Sequence, residues 1–302
     1  MMNFDIPVME PILRKEVLDH KDYLYQVKWD GVRMLTYIED EQVVLINKRL
    51  HNRTLQYPEL QQLPHYLKAP SAVLDGELVV LNHNRPDFSA IIARDRCTKS
   101  SSIAYYERVR PVHYMVFDLL FLSGKDLRAQ ALEKRLQELQ NVLMDNPLAC
   151  IVESFDQGPA LFQAVQDMEM EGIVAKKRDS PYLAGKHHQA WFKIKCQRWQ
   201  DCIIGGYTLR NKKVNALLLG VYREKNLAYI GRAGSGLSAE QSALLSQELP
   251  KLQTDVSPFY NYKQQQAGQF FVQPLLGARV SYLEWTEDLH LRHPVLESFL
   301  LP

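Results

Sequence analysis

The sequence lacks the features of a membrane or secreted protein. No apolar run approaches the roughly 20 residues that a membrane-spanning helix requires. The N-terminal segment Met1–Glu10 has no basic stretch ahead of an apolar one, so it does not have the pattern of a secretory signal. The four cysteines form no C-x-x-C pair, which disfavours a zinc site and indicates reduced thiols. From these absences we expect a cytoplasmic protein without a membrane partner.

An excess of charge of one sign is also missing, because 36 basic residues face 35 acidic ones. The distribution is uneven, however. The segment Gly172–Lys213 holds ten basic and two acidic residues, a net charge of +8. Such a stripe fits a phosphate-rich partner, although a solvated basic face is the commoner meaning of a charge run. A hydrophobic fraction of 46% and a charged fraction of 24% exclude disordered, collagen-like and coiled-coil chains.

The first two-thirds of the chain alternate strand-like and helical segments. Leucines at helical spacing predict a helix over Ala131–Asp145, and a second helix is predicted over Ala160–Met170. The predicted strands are Tyr23–Val27, Arg33–Ile38, Gln42–Ile46, Ala72–Leu81, His113–Leu122, Ile173–Lys177 and Ala190–Lys195. Many strands with few long crossover helices favour antiparallel sheets and the α+β fold class.

The last third has a different texture. A single helix is predicted over Ser238–Leu249, where Ser238 and Gln241 form a capping-box pattern. The predicted strands are Ile203–Leu209, Ala216–Tyr222, Leu227–Gly231 and Ala278–Trp285. Short strands with one helix suit a small Greek-key β-barrel of the OB type. We therefore predict two domains, residues 1–196 and residues 197–302.

Five short motifs carry chemistry-bearing residues. In Lys28–Arg33, the Asp-Gly pair predicts a tight turn that leaves Lys28 and Arg33 facing one cleft. Two motifs place acids in apolar strands, where a carboxylate needs a partner. The remaining motifs are an acidic turn and a lysine pair on one strand face; together the four are Leu74–Glu77, Phe117–Asp118, Glu171–Lys176 and Trp191–Lys195. Each alone has a structural explanation, but their combination across the chain favours a common site.

The order of these motifs resembles that of the covalent nucleotidyltransferases, and within them of the ATP-dependent DNA ligases. KxDGxR, DGE, FD, EGIVAK and WFKIK follow one another as the family's motifs do, over essentially the whole chain. Other segments resemble the ligase module of bacterial non-homologous end-joining proteins; they are Arg85–Ser89, Ser180–Gly185, Gly205–Tyr207, Glu284–Thr286 and Leu291–Pro294. The module would stand alone here, without polymerase and nuclease domains.

The resemblance implies a catalytic role for each motif. Lys28 is the nucleophile that takes AMP from ATP, with Lys193 and Lys195 as catalytic lysines. Their charges and a bound metal are expected to lower the pKa of Lys28, so that its amine is neutral. Glu77 and Glu171 are the carboxylates expected to hold Mg²⁺ or Mn²⁺. The residues expected to contact ATP are Gln26, Arg33, Glu77, Phe117, Glu171, Lys193 and Lys195. Among them, Phe117 is expected to stack on adenine and Arg33 to contact the ribose.

The implied substrate is nicked double-stranded DNA, whose 5′-phosphate Arg49 is expected to bind. Arg94, Arg96 and Lys99 are expected to join the basic surface that contacts DNA. The resemblance also implies DNA repair, a nucleoid-associated monomer and an end-binding partner such as a bacterial Ku-like factor. A basic RxDK motif that usually ends the family's barrel is not found, and we expect either partial substitution by Arg292 or a slow first step.

Other functions compete with this interpretation. RNA ligases and capping-type guanylyltransferases share the Lys-x-Asp-Gly chemistry. A non-catalytic OB-fold nucleic-acid-binding protein would form no covalent adduct. A metal-dependent hydrolase is the weakest alternative, because the sequence shows no His and Asp cluster with ligand spacing.

Overall fold

The computed structural model describes residues 5–196, 198–262, 267–282, 285–286 and 288–300. The chain divides into two compact units, Met1–Cys196 and Gln197–Pro302. Each unit has its own apolar core. Within the described ranges, no helix is long and apolar enough to cross a membrane.

The first unit contains a four-stranded sheet. Its order is β1 (Glu10–Leu13), β11 (His187–Lys195), β10 (Gly172–Lys177) and β2 (Tyr23–Val27). The β1–β11 pair is parallel, and the other two pairs are antiparallel. In the register, Val174 of β10 lies between Lys193 of β11 and Gln26 of β2, which brings three predicted motifs onto adjacent strands.

A seven-stranded sheet forms the rest of the β-structure of this unit. Its main order is β4 (Gln42–Asn47), β3 (Val32–Glu39), β5 (Ser71–Asn82), β7 (Val112–Leu122) and β8 (Lys125–Asp126). The short strand β6 (Arg85–Pro86) pairs with β5, and β9 (Ala149–Ile151) pairs with β7. Among the described pairs of this second sheet, only β7–β9 is parallel. Antiparallel pairing of β3 with β5 sets Arg33 opposite Glu77.

Four α-helices pack in the first unit: α1 (Phe88–Asp95), α2 (Ser100–Val109), α3 (Leu132–Val142) and α4 (Gly158–Asp167). The helices α3 and α4 confirm the two sequence-based helices. Helix α3 lies within its predicted bounds, whereas α4 begins and ends two to three residues earlier than predicted. Helices α1 and α2 and two 3₁₀ helices, Thr54–Gln56 and Pro58–Tyr66, were not predicted. Helix α2 contributes no buried residue, so it offers no regular apolar face for sequence analysis to recognise.

The second unit is built on one strongly curled antiparallel sheet. Its order is β14 (Asn226–Ala233), β13 (Lys213–Arg223), β12 (Arg198–Arg210), β16 (Gln269–Tyr282) and β15 (Gln253–Thr254), with β17 (Val295–Leu300) on β16. Register shifts interrupt the pairing near Gly205, where added strand twist lets a sheet curl. The 3₁₀ helix Leu249–Leu252 follows α5 (Ala239–Glu248).

The capping box of the second unit is confirmed. Ser238 Oγ accepts a hydrogen bond from the Gln241 backbone N–H at 3.1 Å, and Gln241 Oε1 accepts one from the Ser238 N–H at 2.9 Å. The predicted strand Ala278–Trp285 corresponds to β16 up to Tyr282, whereas residues 283 and 284, including Glu284 of the sequence motif, lie outside the described residues.

Candidate active site

A pocket of about 530 Å³ opens in the first unit between its two sheets. The four-stranded sheet contributes the end of β2 and the exposed faces of β10 and β11, and the other sheet contributes β3, β5 and β7. Of the predicted site residues, the pocket wall brings together Gln26, Lys28, Arg33, Arg49, Glu77, Arg96, Phe117 and Lys193. Motifs far apart in the sequence therefore meet at one cavity.

Lys28 occupies the connection between β2 and β3. Its backbone N–H donates to the Gly172 carbonyl at 2.9 Å, which fixes the residue beside β10. Gly31 lies at a bend in this connection, and only glycine fits there, because a Cβ atom would lie 2.2 Å from the Leu78 carbonyl oxygen. In place of the predicted tight turn, the Asp-Gly pair thus forms part of a connection between the two sheets that passes close to β5.

Glu171 bridges two of the predicted catalytic lysines. Lys28 Nζ donates to Glu171 Oε2 at 2.5 Å, and Lys195 Nζ lies 2.7 Å from Glu171 Oε1. The side chain of Glu171 is only 9% exposed, so its carboxylate faces cations rather than water. This arrangement fixes the Lys28 amine at the pocket, with Glu171 and Lys195 immediately behind it.

The expected charge state of Lys28 is not the one found. Burial lowers the pKa of Lys28, but the charges of Glu171 and Glu77 and the hydrogen bond that Lys28 donates to Glu171 outweigh it, so the pKa is raised overall. The sequence analysis expected neighbouring cations to lower this pKa, and that expectation is wrong for the protein without bound nucleotide. Lys195 is paired with Glu171, and the attraction of that carboxylate for Lys28 exceeds the repulsion from the neighbouring lysines.

Lys193 behaves as expected of a partly buried cation beside other cations. Loss of hydration, followed by the charges of Lys195 and Lys28, lowers the pKa of Lys193. Its side chain lines the pocket, and β10 separates its strand from the strand of Gln26. An anion in the pocket would relieve this repulsion.

Glu77 projects from β5 into the same part of the pocket. Loss of hydration raises the pKa of Glu77 to about 8, and the opposing attraction of Lys28 and Arg33 does not cancel this effect. Repulsion from Glu171 adds to the increase. A cation between the two carboxylates would remove that repulsion, and hard oxygen ligands suit Mg²⁺.

A metal ion would need ligands beyond these two. Among the described residues, no group of three or more His, Cys, Asp and Glu side chains could hold a metal ion. Both oxygens of Glu171 are also engaged by lysines. The residues therefore fit a cation whose remaining ligands are phosphate oxygens and water, with Glu77 as the protein ligand that no lysine occupies.

Arg33 is held firmly in the pocket wall. Its guanidinium donates to both carboxylate oxygens of Asp75, at 3.0 and 2.6 Å, and Tyr182 Oη donates to the same carboxylate at 2.7 Å. Arg33 also lies over the Phe117 ring, with 5.0 Å between the guanidinium carbon and the ring centroid. Asp75, the other acid of the motif that holds Glu77, is thus satisfied by Arg33 and Tyr182.

The second buried acid is satisfied in the same way. Asp118 and Arg135 form a bidentate ion pair with N–O distances of 2.7 and 2.8 Å, and both side chains are fully buried. Arg135 also donates to the Ser180 carbonyl at 2.9 Å. This pair joins α3 and the segment at Ser180 to the strand that carries Phe117.

Lys176 is a pocket residue that sequence analysis missed. Its side chain is buried, and Nζ lies 4.2 Å from the ring centroid of Phe117 and 4.3 Å from that of Trp191. Burial lowers the pKa of Lys176 to about 7, with the charge of Asp118 opposing the decrease. One signal was available in the sequence, because Lys176 alternates with Val174 and so shares its face of β10.

Gln26 lies beside these residues at the end of β2. Its Nε2 donates to Ser154 Oγ at 3.1 Å, with a longer contact of 3.4 Å to the Val152 carbonyl. Its Oε1 is buried without a hydrogen-bond partner among the described residues. A buried amide oxygen without a donor is costly, so the site favours a ligand that brings an N–H group.

The other end of the pocket is basic. Arg49 and Arg96 are exposed and line it together with His51. Lys99, at the start of α2, is exposed but does not line the pocket. Arg94 is only 1% exposed; it is bound by Glu59 and by the carbonyls of residues 56 and 110. A buried, neutralised guanidinium cannot contact DNA, which corrects the expectation for Arg94.

The first unit thus holds a pocket lined by lysines, arginines and carboxylates, and the second unit is a separate curled β-sheet. Comparisons with known proteins identify both parts. A family model described as "ATP dependent DNA ligase domain" matches residues 9–195, and "ATP dependent DNA ligase C terminal region" matches residues 210–299. The chain therefore belongs to the ATP-dependent DNA ligase family, with an adenylation domain and an OB-fold domain, as the motifs predicted.

Within this family, the chain is similar to bacterial LigD proteins and to DNA ligase C2. The multifunctional non-homologous end joining DNA repair protein LigD of Mycobacterium tuberculosis is 32% identical over 282 residues, which cover 91% of this chain and 36% of LigD. DNA ligase C2 of Mycolicibacterium smegmatis is 29% identical over 287 residues, covering 91% of this chain and 79% of that protein. The crystal structure of the ligase domain of M. tuberculosis LigD superposes with a TM-score of 0.59 at 29% identity, covering 99% of this chain and 96% of that domain. This chain spans about a third of the length of the LigD proteins.

Proposed function

We propose that this protein seals 5′-phosphate/3′-hydroxyl nicks in double-stranded DNA through a covalent lysyl-AMP intermediate on Lys28. The observation that carries the proposal is the Lys28 amine, held by Glu171 at the mouth of a pocket that also contains Lys193 and Glu77. A lysine fixed at the edge of an anion-attracting cavity has the placement that a nucleophile toward phosphorus requires.

In the first step the lone pair of Lys28 Nζ forms a bond to the α-phosphorus of ATP, and the bond from that phosphorus to the pyrophosphate oxygen breaks. The Lys28 ammonium must first lose a proton. Glu171 accepts its hydrogen bond, but the charges of Lys28 and Lys195 lower the pKa of Glu171, so the proton passes on to solvent rather than staying on that carboxylate. Glu171 is balanced by Lys195, and Lys193 supplies further positive charge for the phosphate oxygens. In the product the Lys28 nitrogen is uncharged, so its hold on Glu171 weakens.

The base of ATP fits the inner part of the pocket. Phe117 offers an aromatic face, and the unsatisfied Oε1 of Gln26 would accept a hydrogen bond from an exocyclic amino group such as that of adenine. Lys176 adds a donor for a ring nitrogen. These three groups support ATP as the nucleotide, in agreement with family membership.

The proposal includes Mg²⁺ or Mn²⁺, for which Glu77 would be a ligand. Glu171 would become a second ligand once Lys28 is modified and no longer holds that carboxylate. When bound, such a cation would supply positive charge beside the Lys28 amine and the phosphate oxygens, which favours proton loss and stabilises the developing charge. The residues themselves contribute the carboxylate pair and exclude water from the amine.

The exposed Arg49 and Arg96 would hold the 5′-phosphate of the nick at the basic end of the pocket. We further propose that residues 1–196 act as the adenylation domain and residues 197–302 as the OB-fold domain on the duplex. The protein would act in DNA repair as a cytoplasmic, nucleoid-associated monomer, with a Ku-like end-binding protein as a partner. Contacts of this kind go mainly to phosphates, so joining should weaken steeply as salt increases.

The test is intact mass spectrometry after incubation with ATP and Mg²⁺, followed by joining of nicked DNA. We expect one AMP per wild-type chain and none on Lys28→Ala, with Lys177→Ala as a control because Lys177 is an exposed lysine on the same strand as Lys176. Adduct with GTP in place of ATP would indicate a guanylyltransferase, and joining only of RNA would indicate an RNA ligase. Adduct on Lys28→Ala would refute the proposal.

A further inference from the structure

The basic stripe Gly172–Lys213 contains two kinds of cation in the structure. Several of its cations are already buried or paired with acids; these are Lys176, which is buried, Lys177 with Asp179, Arg178 with Glu133 and Asp156, and Lys195 with Glu171. At the end of the stripe, Arg210, Lys212 and Lys213 are exposed, and none of them forms an ion pair with an acid among the described residues. The unpaired positive charge is thus concentrated in one hairpin.

This hairpin, residues 210–213, joins β12 to β13, and its local arrangement is unfavourable for folding. In the register Arg210 lies directly opposite Lys213, and like charges in that relation destabilise an antiparallel pair. The two loop residues, Asn211 and Lys212, have φ of +53° and +60°, a left-handed conformation that asparagine adopts more readily than lysine. An anion between Arg210 and Lys213 would relieve their repulsion.

The base of the hairpin is fixed by hydrogen bonds to α5. The Val214 N–H donates to Ser246 Oγ at 2.9 Å, and Ser242 Oγ donates to the Val214 carbonyl at 2.5 Å. Across the two strands, Thr208 Oγ1 donates to Asn215 Oδ1 at 2.8 Å. The three cations therefore extend from a fixed base, which reduces the entropy that a ligand would lose in ordering them.

The hairpin at the other end of β13 provides a comparison within the same sheet. It joins β13 to β14, with Arg223 opposite Asn226 in the register and Glu224 and Lys225 in the loop. It contains two basic residues and one acidic residue, with no like-charge pair opposite each other, whereas residues 210–213 contain three basic residues and no acid. Of these two hairpins, the one between β12 and β13 is the better match for a polyanion.

We propose that the β12–β13 hairpin binds the phosphate backbone of duplex DNA, with a phosphate between Arg210 and Lys213 and with Lys212 adding charge at the tip. This inference rests on the proposed function, because it names the surface by which residues 197–302 would contact the duplex. Membership of the ATP-dependent DNA ligase family makes duplex DNA the phosphate-rich partner that this chain meets. Contacts of this kind are insensitive to base sequence and release counterions from the backbone.

The experiment measures binding of the full chain to a fluorescent nicked duplex whose 3′ end is a dideoxynucleotide, so that it can be bound but not joined. Fluorescence anisotropy gives the binding constant at KCl concentrations from about 50 to about 200 mM, the range over which phosphate contacts weaken strongly. The test variant is Lys212→Asn with Lys213→Gln, in which asparagine tolerates the positive φ. The matched control is Arg223→Gln with Lys225→Gln, which removes the same number of charges from the other hairpin.

We expect the plot of log binding constant against log salt to be shallower by about two units in the test variant than in the wild type, since each lost phosphate contact contributes about 0.9. Raising KCl over this range should then weaken wild-type binding roughly tenfold more than binding by the test variant. The control should keep the wild-type slope. Thermal unfolding should show the test variant to be at least as stable as the wild type, because it removes one member of a like-charge pair.

Equal slopes in the two double variants would overturn the inference, whatever happens to the rate of joining. Weaker binding of the test variant to poly-glutamate, with an unchanged slope on the duplex, would overturn it in favour of an acidic protein segment. If the wild type formed no AMP adduct on Lys28 while the slopes differed as expected, the proposed catalysis would fail and the DNA-binding hairpin would stand. A wild type that joined nicks but showed no slope difference from the test variant would refute the hairpin alone.

Discussion

Replacing Lys176 by methionine should make the protein more stable and less active. In the folded protein, burial lowers the pKa of Lys176 from 10.5 to about 7. At about 1.36 kcal/mol per pKa unit, this decrease corresponds to a free-energy penalty of roughly 4–5 kcal/mol for holding the charged amine in the pocket. Methionine has a similar length, carries no charge and packs well between aromatic rings such as those of Phe117 and Trp191.

The stability gain of Lys176→Met should be larger at low pH than at high pH. Below pH 7 the Lys176 amine is protonated in both the folded and the unfolded state, so the full penalty applies. Between pH 7 and 10.5 the folded protein binds fewer protons than the unfolded chain, and wild-type stability rises with pH. Lys176→Met should therefore gain about 2–5 kcal/mol at pH 6 and roughly 2 kcal/mol or less at pH 9.

Urea unfolding of the wild type and of Lys176→Met, monitored by tryptophan fluorescence at pH 6 and pH 9, measures these gains in unfolding free energy. The rate of AMP-adduct formation at limiting ATP measures the accompanying loss of activity. We expect this rate to fall at least tenfold if Lys176 contacts the base. A variant less stable than the wild type at pH 6 would show that the aromatic rings stabilise the ammonium more than burial destabilises it. Equal gains at pH 6 and pH 9 would refute the charge argument.

Three further substitutions test the buried and the exposed cations. Asp118→Asn should cost about 3–5 kcal/mol in urea unfolding, because Arg135 would keep its charge without its carboxylate; a loss below about 1 kcal/mol would contradict this. Arg96→Ala should weaken binding of nicked DNA and reduce the salt slope by about one, with little change in stability. Arg94→Ala should instead lower the unfolding free energy, because the Arg94 side chain is buried against Glu59. Weaker DNA binding in a stable Arg94→Ala variant, together with lower stability in Arg96→Ala, would contradict both expectations.

The sequence was most informative where a local motif also determines the geometry. The Asp-Gly turn predicted that Lys28 and Arg33 would meet in one cleft, and both line the pocket. Gln26 and Lys28 are two residues apart at the end of β2, and both line the same pocket. These residues could be placed together because a short motif constrains the chain over a few residues.

Predictions failed where the answer depended on contacts between distant segments. Arg94 and Arg96 are two residues apart in one basic cluster, yet Glu59 and the carbonyls of other segments bury the first and leave the second exposed. Likewise, the sequence showed that lysines and Glu171 belong to one site, but not that Glu171 would lie 2.5 Å from Lys28 and raise its pKa. Burial and charge pairing of this kind are set by tertiary packing.

Three of the lysines that line the pocket have pKa values shifted in different directions, each for its own physical reason. Lys28 is held as an ammonium by Glu171, whereas cations near Lys193 and burial around Lys176 lower the pKa of those residues. The amine that the proposed mechanism uses as the nucleophile is therefore not the one that most easily loses its proton in the free protein. Glu171 fixes the position of the Lys28 amine, but the same carboxylate raises the pKa of that amine. Under the proposed function, Lys28 stays protonated until a bound cation adds positive charge beside it, and the energy needed to release the proton comes from ligand binding.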